Sequence, residues 1–233
     1  MRISVLFAAS VLVAGCSQQP AGKPGATQLT PITPSHTTTS APAGSTSTSS
    51  SAKASPPSSA APQPGAPAAE AIAWVEAAPP VDGKDFRVAL RNGAATPLGE
   101  DSAFTTPSGI SCMTDTRHGS RALACLVDLV APPAQPPDVY GVWKGGWVDF
   151  DGATVQVGSA HGDPGRFSAG QGVPLPQGGS LAFGDFRCRA DSTALVCVNY
   201  AHQSAVRYSD DGISPYGCAR QTPPAGIGIQ FTC

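Results

Sequence analysis

The sequence predicts an all-β domain, mainly antiparallel: a small sandwich or barrel stapled by disulfides and preceded by a signal peptide and a disordered linker. Three observations point there. Six cysteines (Cys112, Cys125, Cys188, Cys197, Cys218 and Cys233) fall in the C-terminal part of the chain. Apolar residues downstream of about residue 70 come in short alternating runs separated by Gly, Pro and Asn, the strand-and-turn pattern. The 26 Gly and 24 Pro against only 13% charged residues favour short strands and many turns over helices.

The N-terminus sets where this domain is delivered. Arg2 gives a positive n-region, and Ile3 to Val13 is apolar, a run the length of a signal-peptide core and too short to span a bilayer. It ends in Val13-Ala14-Gly15-Cys16, which resembles a bacterial lipobox. In such signals residues 1–15 are removed and the Cys16 thiol carries the lipid. Each buried methylene contributes about 0.8 kcal/mol, so two or three chains hold where one does not. The expected membrane partner is therefore reached through Cys16 alone, because no later apolar run is long enough to cross.

Residues 16–69 are almost wholly Ser, Thr, Pro, Ala, Gly and Gln, with Lys23 and Lys53 as the fixed charges. Such a segment cannot bury enough apolar surface to offset the entropy of ordering, so a disordered tether is expected. A flexible chain of this size reaches roughly 40 Å. Its Ser/Thr runs between Pro and Ala suit O-glycosylation as well as an unmodified linker. The net charge of −2 points to neither nucleic acid nor an anionic surface as partner.

The expected domain occupies 70–233. Ala71-Ile72-Ala73-Trp74-Val75 reads as a short helix or an extended segment, stopped by Pro79-Pro80. Phe86-Arg87-Val88-Ala89-Leu90 alternates and runs into Asn92-Gly93, a strand and turn. Two hairpins then follow one plan. With His118-Gly119 at the tip, Cys112 faces Cys125; with Ser192-Thr193 at the tip, Cys188 faces Cys197. Facing Cβ atoms in a hairpin are close enough to bridge, which leaves Cys218 for Cys233. Ala122 to Leu126 and Ala194 to Val198 are locally alike, a hint of two related halves. Between the hairpins, Asp151-Gly152 reads as the tip of a type I′ turn joining strands Gly146–Phe150 and Ala153–Val157. Leu181-Ala182-Phe183 and Ala205 to Tyr208 complete the recognisable strands.

Several of these segments together resemble a family. They are Phe104 to Cys112, Trp143-Lys144-Gly145-Gly146-Trp147 through Gly152, Leu181 through Cys188, and Cys197-Val198-Asn199-Tyr200. They are similar to mycobacterial cell-envelope lipoproteins of the LppI type, over roughly Trp74 to Cys218. The resemblance implies an envelope location and a shared fold, and it supplies no catalytic residues.

No residue is assigned to catalysis, to a metal or to a cofactor. The cysteines have no Cys-x-x-Cys or His spacing for zinc. Ser159, His161 and Asp163 suggest a hydrolase, yet Gly158, Gly162, Pro164 and Gly165 around them suggest a polar loop. Gly178-Gly179-Ser180 approximates a nucleophile elbow without the strand–turn–helix setting. His202 beside Asn199 fits a turn cap, and Asp149, Asp151 and Gly152 lack the later ligands of a calcium loop. Trp143 and Trp147 are candidate ligand-stacking aromatics, with burial in the core the stronger reading. Arg187 and Arg189 share a strand face expected to be solvated.

The expected role is a lipid-anchored envelope protein that binds an envelope glycan or protein, or is structural. The alternative is a cell-wall hydrolase or modifying enzyme with a His/Ser/Asp site.

Overall fold

A computed structural model of the chain describes residues 60–118, 120–161 and 165–233. The expected signal segment, Cys16 and nearly all of the expected tether lie outside the described residues, as do Gly119 and Asp163.

In chain order, helix α1 (Ala68–Glu76) precedes β1 (Val88–Arg91), β2 (Ala94–Pro97), β3 (Ala103–Thr105), β4 (Ser111–Asp115) and β5 (Ser120–Leu126). Then come β6 (Trp143–Phe150), β7 (Thr154–Ala160), β8 (Gln171–Pro174), β9 (Ser180–Phe183) and β10 (Phe186–Ala190). The chain ends with β11 (Leu195–Asn199), β12 (Ser204–Ser209), β13 (Gly212–Tyr216), β14 (Ala219–Gln221) and β15 (Ile227–Thr232). They form two sheets. The larger has the order β14-β15-β7-β6-β5-β4-β3-β8-β1-β2, and the smaller β13-β12-β11-β10-β9. Every pairing between named strands is antiparallel except β3 with β8. Each sheet keeps two edges, so the fold is sandwich-like rather than a closed barrel.

The core lies between the sheets. Inward positions alternate along the strands: Leu123 and Cys125, Val148 and Phe150, Val155 and Val157 from the larger sheet; Cys188, Leu195, Cys197, Val206 and Tyr208 from the smaller. Four rings tie the layers together: Phe104 meets Phe183 at 5.9 Å, Phe183 stacks on Phe186 at 5.7 Å, and Phe186 meets Phe150 edge-on at 5.6 Å. Burial on this scale is the main driving force, at roughly 25 cal/mol per Å² of apolar surface.

Three disulfides staple the sheets: Cys112–Cys125, Cys188–Cys197 and Cys218–Cys233. In the second hairpin the register expected from the tip holds throughout, from Phe186 opposite Asn199 to Ala190 opposite Leu195. In the first, Cys112 opposes Cys125, but a bulge after Met113 shifts the pairing so that Asp115 opposes Ser120. The third bridge extends the β14–β15 ladder, in which Ala219 opposes Thr232. The first two bridges are fully buried, whereas Cys218 is half-buried and Cys233 exposed.

Helix α1 resolves the ambiguity at Ala71–Val75. Its buried residues Ala71, Trp74 and Val75 cover Val196, Val198, Ala205 and Tyr216 on the outer face of the smaller sheet. The packed region reaches back ahead of residue 70: Ala61 and Ala66 pack on this layer, and the Tyr216 hydroxyl donates to the Pro62 carbonyl at 2.7 Å. Burial pushes that hydroxyl's pKa up to about 12, so it remains a donor. Arg187 and Arg189 are not a solvated pair. Arg189 donates to the Trp74 carbonyl at 2.6 Å with its guanidinium 3.8 Å over the Trp74 ring, and Arg187 donates to the buried Ser180 hydroxyl. They clamp the helix and the β9 edge.

The Asp151-Gly152 turn also differs by one residue. Phe150 opposes Val155, and Asp151 N–H donates to the Thr154 carbonyl, so Gly152-Ala153 is the tip. The Asp151 carboxylate accepts from the Ala153 and Thr154 amides, and this bond closes the turn around Asp151 as its first residue. Gly152 alone takes positive φ, at 98°, the glycine position of a type II′ turn rather than I′.

Candidate functional site

The outer face of the larger sheet carries a cluster of polar side chains, and a bulge between β6 and β7 arranges it. Trp143 opposes Ala160 and Lys144 opposes Ser159, but the next pair is Val148 with Val157. Residues 145–147 thus sit across from Gly158 alone. The glycines make this feasible. Gly158 has φ +76°, and a Cβ on Gly146 would lie 1.9 Å from the Val127 carbonyl oxygen. Such a bulge bends the strand and re-aims its side chains.

One consequence is the fate of the two tryptophans. Trp143 Nε1 donates to the Pro133 carbonyl at 2.9 Å, and its ring presses on Gly158, where a Cβ would come within 2.8 Å of Cζ2. The proline-rich loop 131–137 occupies that ring. Trp147 is 1% exposed and packs edge-on to Phe167 at 5.5 Å. Its Nε1 donates to Asp149 Oδ2 at 2.9 Å. The structure does not assemble Trp143 and Trp147 into an open stacking surface.

Around Trp147 lies a compact polar cluster. His161 stacks on the indole at 3.7 Å, and its Nε2 is 2.6 Å from Ser159 Oγ. Ser159 and His161 share a side because alternate strand residues do. Burial lowers the His161 pKa from 6.5; Arg166 and Lys144 act in the same direction and Asp149 against it. The ring is therefore neutral near pH 7, and in the Nδ1–H tautomer Nε2 accepts from Ser159.

Arg166, on a short 3-10 helix (Gly165–Ala169), reaches back over the sheet. Its Nη1 donates to the Ala122 carbonyl at 3.1 Å, and Nη2 lies 3.7 Å from Asp149 Oδ1, which is buried and, among the described residues, takes no hydrogen bond. Asp149 opposes Gln156, and Gln156 opposes Gln230, to which its amide donates at 2.9 Å. Asp149, Gln156 and Gln230 thus form a polar row across three strands. A hollow of about 170 Å³ opens over it, lined by Ala122, Asp149, Asp151, Thr154, Gln156 and Arg166. A second hollow, of about 450 Å³, shares Arg166 and includes Asp101, Thr114, Asp115 and Arg117.

The other candidates lie apart from this cluster. His202 closes a turn, its amide donating to Asn199 Oδ1 at 3.1 Å. Ser180 is fully buried and donates to the Ala78 carbonyl. Among the described residues no group of three or more His, Cys, Asp or Glu could hold a metal ion. No described helix is long and apolar enough to cross a membrane. Arg166 and Gln156 carried no sequence signal: a lone Arg beside Gly165 and a Gln on a strand gain meaning only from the register and from the 3-10 helix that brings Arg166 over it.

The chain matches no family model, no curated protein and no solved structure.

Proposed function

We propose that this chain is a lipid-anchored protein of the cell envelope, related to the LppI-type lipoproteins, whose β sandwich is a binding module held off the membrane by its tether. The observation that carries the reading is the set of three disulfides, which forms and persists in an oxidising compartment outside the cytoplasm. The lipobox-like Val13-Ala14-Gly15-Cys16 supports delivery there with an anchor. The outer face of the larger sheet is the binding surface in this reading, because its polar row and hollows are not consumed by the core.

Detergent phase partitioning of the full chain against Cys16→Ala tests the anchor. Wild-type protein is expected in the detergent phase with an acylated N-terminal peptide, and the variant in the aqueous phase. Equal partitioning of the two would overturn the anchor.

A second reading, a hydrolase of cell-wall material, is favoured by one observation, the 2.6 Å approach of Ser159 Oγ to His161 Nε2. In it His161 takes the hydroxyl proton as Ser159 attacks a carbonyl. Labelling of Ser159 by a fluorophosphonate, lost in His161→Ala, would support it; an unlabelled Ser159 counts against it.

A further inference from the structure

We propose that the hollow over Asp149, Gln156 and Arg166 is a binding site for a neutral, polyhydroxylated ligand, a sugar unit of a glycan. The inference rests on the binding reading above and names its ligand class.

Three features of the site select that chemistry. The first is size: about 170 Å³ is well below the roughly 300 Å³ at which drug-sized pockets begin, so one small unit fits. The second is the mixture of signs. Asp149 and Asp151 line the hollow with Arg166, and the neighbouring hollow adds Asp101 and Asp115 with Arg117. An anion would face the carboxylates and a cation the guanidinium groups. An apolar ligand would cover polar groups without replacing their hydrogen bonds, which is costly. The third is unfinished hydrogen bonding. Gln156 uses its amide nitrogen on Gln230, and among the described residues nothing is seen to donate to its carbonyl oxygen. Among the described residues the buried Asp149 Oδ1 takes no hydrogen bond, and the Arg166 guanidinium stands 3.7 Å away, so that pair is loose and Arg166 is not saturated by it.

Hydroxyl groups both donate and accept. Adjacent hydroxyls on one ring can donate to the Gln156 oxygen and the exposed Asp151 carboxylate while accepting from Arg166. No single charged group satisfies all three. Arg166 also lines the larger hollow beside it.

The test is calorimetric titration of the full-length protein in detergent with neutral tetrasaccharides of glucose, galactose, arabinose and N-acetylglucosamine, with a heparin tetrasaccharide as anionic control. At least one neutral sugar is expected to bind saturably, and more tightly than heparin. Gln156→Ala should weaken it about two- to tenfold, the loss expected for a neutral hydrogen bond, and Arg166→Ala about tenfold or more, since its donor is charged. Gln156→Ala removes an outer-face side chain, so its thermal midpoint should stay near wild type and it decides the matter even if Arg166→Ala folds poorly. Glu70→Ala, on the helix covering the other sheet, should bind as wild type does. Absence of binding by every neutral sugar, tighter binding of heparin, or undiminished binding by Gln156→Ala overturns the proposal. Should sugar binding fail while Cys16-dependent detergent partitioning holds, the ligand class is wrong and the anchored-envelope reading stands.

Discussion

Trp143 donates its indole N–H to the Pro133 carbonyl at 2.9 Å, and one of the two candidate stacking aromatics is thereby held against the protein's own proline-rich loop. That loop also leans on glycines: a Cβ on Gly228 would lie 2.8 Å from Pro133 Cβ. Trp143→Phe keeps a ring over Gly158 but loses the hydrogen bond. The expected cost is about 1 kcal/mol, with faster proteolysis inside residues 131–142. Limited proteolysis beside a thermal melt checks both; an unchanged cleavage rate would mean that the loop is held by other contacts.

Arg189 is the corresponding clamp on the other layer. It joins β10 to helix α1 through the Trp74 carbonyl and the Trp74 ring. Arg189→Ala should cost about 1–2 kcal/mol and shift Trp74 emission to the red as the helix loosens. Arg189→Lys should recover only part of this, since an ammonium lacks the planar fork. Denaturant melts followed by Trp fluorescence read both effects, and a Lys variant equal to wild type would contradict the geometry.

His161 gives the fold a pH dependence of definite sign. Its folded pKa lies below 6.5 because burial disfavours the charged ring, with Arg166 and Lys144 adding to this. In the unfolded chain the ring titrates near 6.5. As pH falls below about 6.5 the unfolded chain takes up a proton that the folded chain resists, so stability drops until the folded pKa is passed and then levels off. Above that range the contribution is constant. Thermal midpoints compared at about pH 8 and about pH 5 should therefore fall more for wild type than for His161→Gln. The ring is only half-buried, so the difference is modest. Equal falls would show that other groups set the acid limb.

The regular parts of this fold were legible in the sequence because they rest on local rules. The Cys188–Cys197 register follows from a tip at Ser192-Thr193, and the β1–β2 turn from Asn92-Gly93, which take φ of 50° and 80°. The differences are mostly places where a non-local contact wins, with one local exception. The β6–β7 tip moved by one residue because the Asp151 carboxylate binds the amides of Ala153 and Thr154. Strands β8 (Gln171–Pro174) and β13 (Gly212–Tyr216) lack alternation and carry Gly and Pro, and β14 (Ala219–Gln221) is three exposed residues; they are strands only because neighbours pair with them. Arg187 and Arg189 read as a solvated face because their partners, the Ser180 hydroxyl across the β9–β10 pair and the distant Trp74 carbonyl, reach them only in the fold. The candidate site was half visible. Ser159 with His161 stands out at a spacing of two, whereas Arg166 meets Asp149 only through the fold.

The measurement that bears most directly on the account is non-reducing peptide mapping of the protein taken from its native compartment with thiols blocked at lysis. An extracytoplasmic sandwich with the register described predicts three linked peptide pairs, Cys112 with Cys125, Cys188 with Cys197 and Cys218 with Cys233, and no blocked thiol among these six. Under graded reductant the Cys218–Cys233 pair should open first, because the other two are closed to solvent. Free thiols at Cys188 and Cys197, or a bridge joining one hairpin to the other, would contradict both the compartment and the strand register.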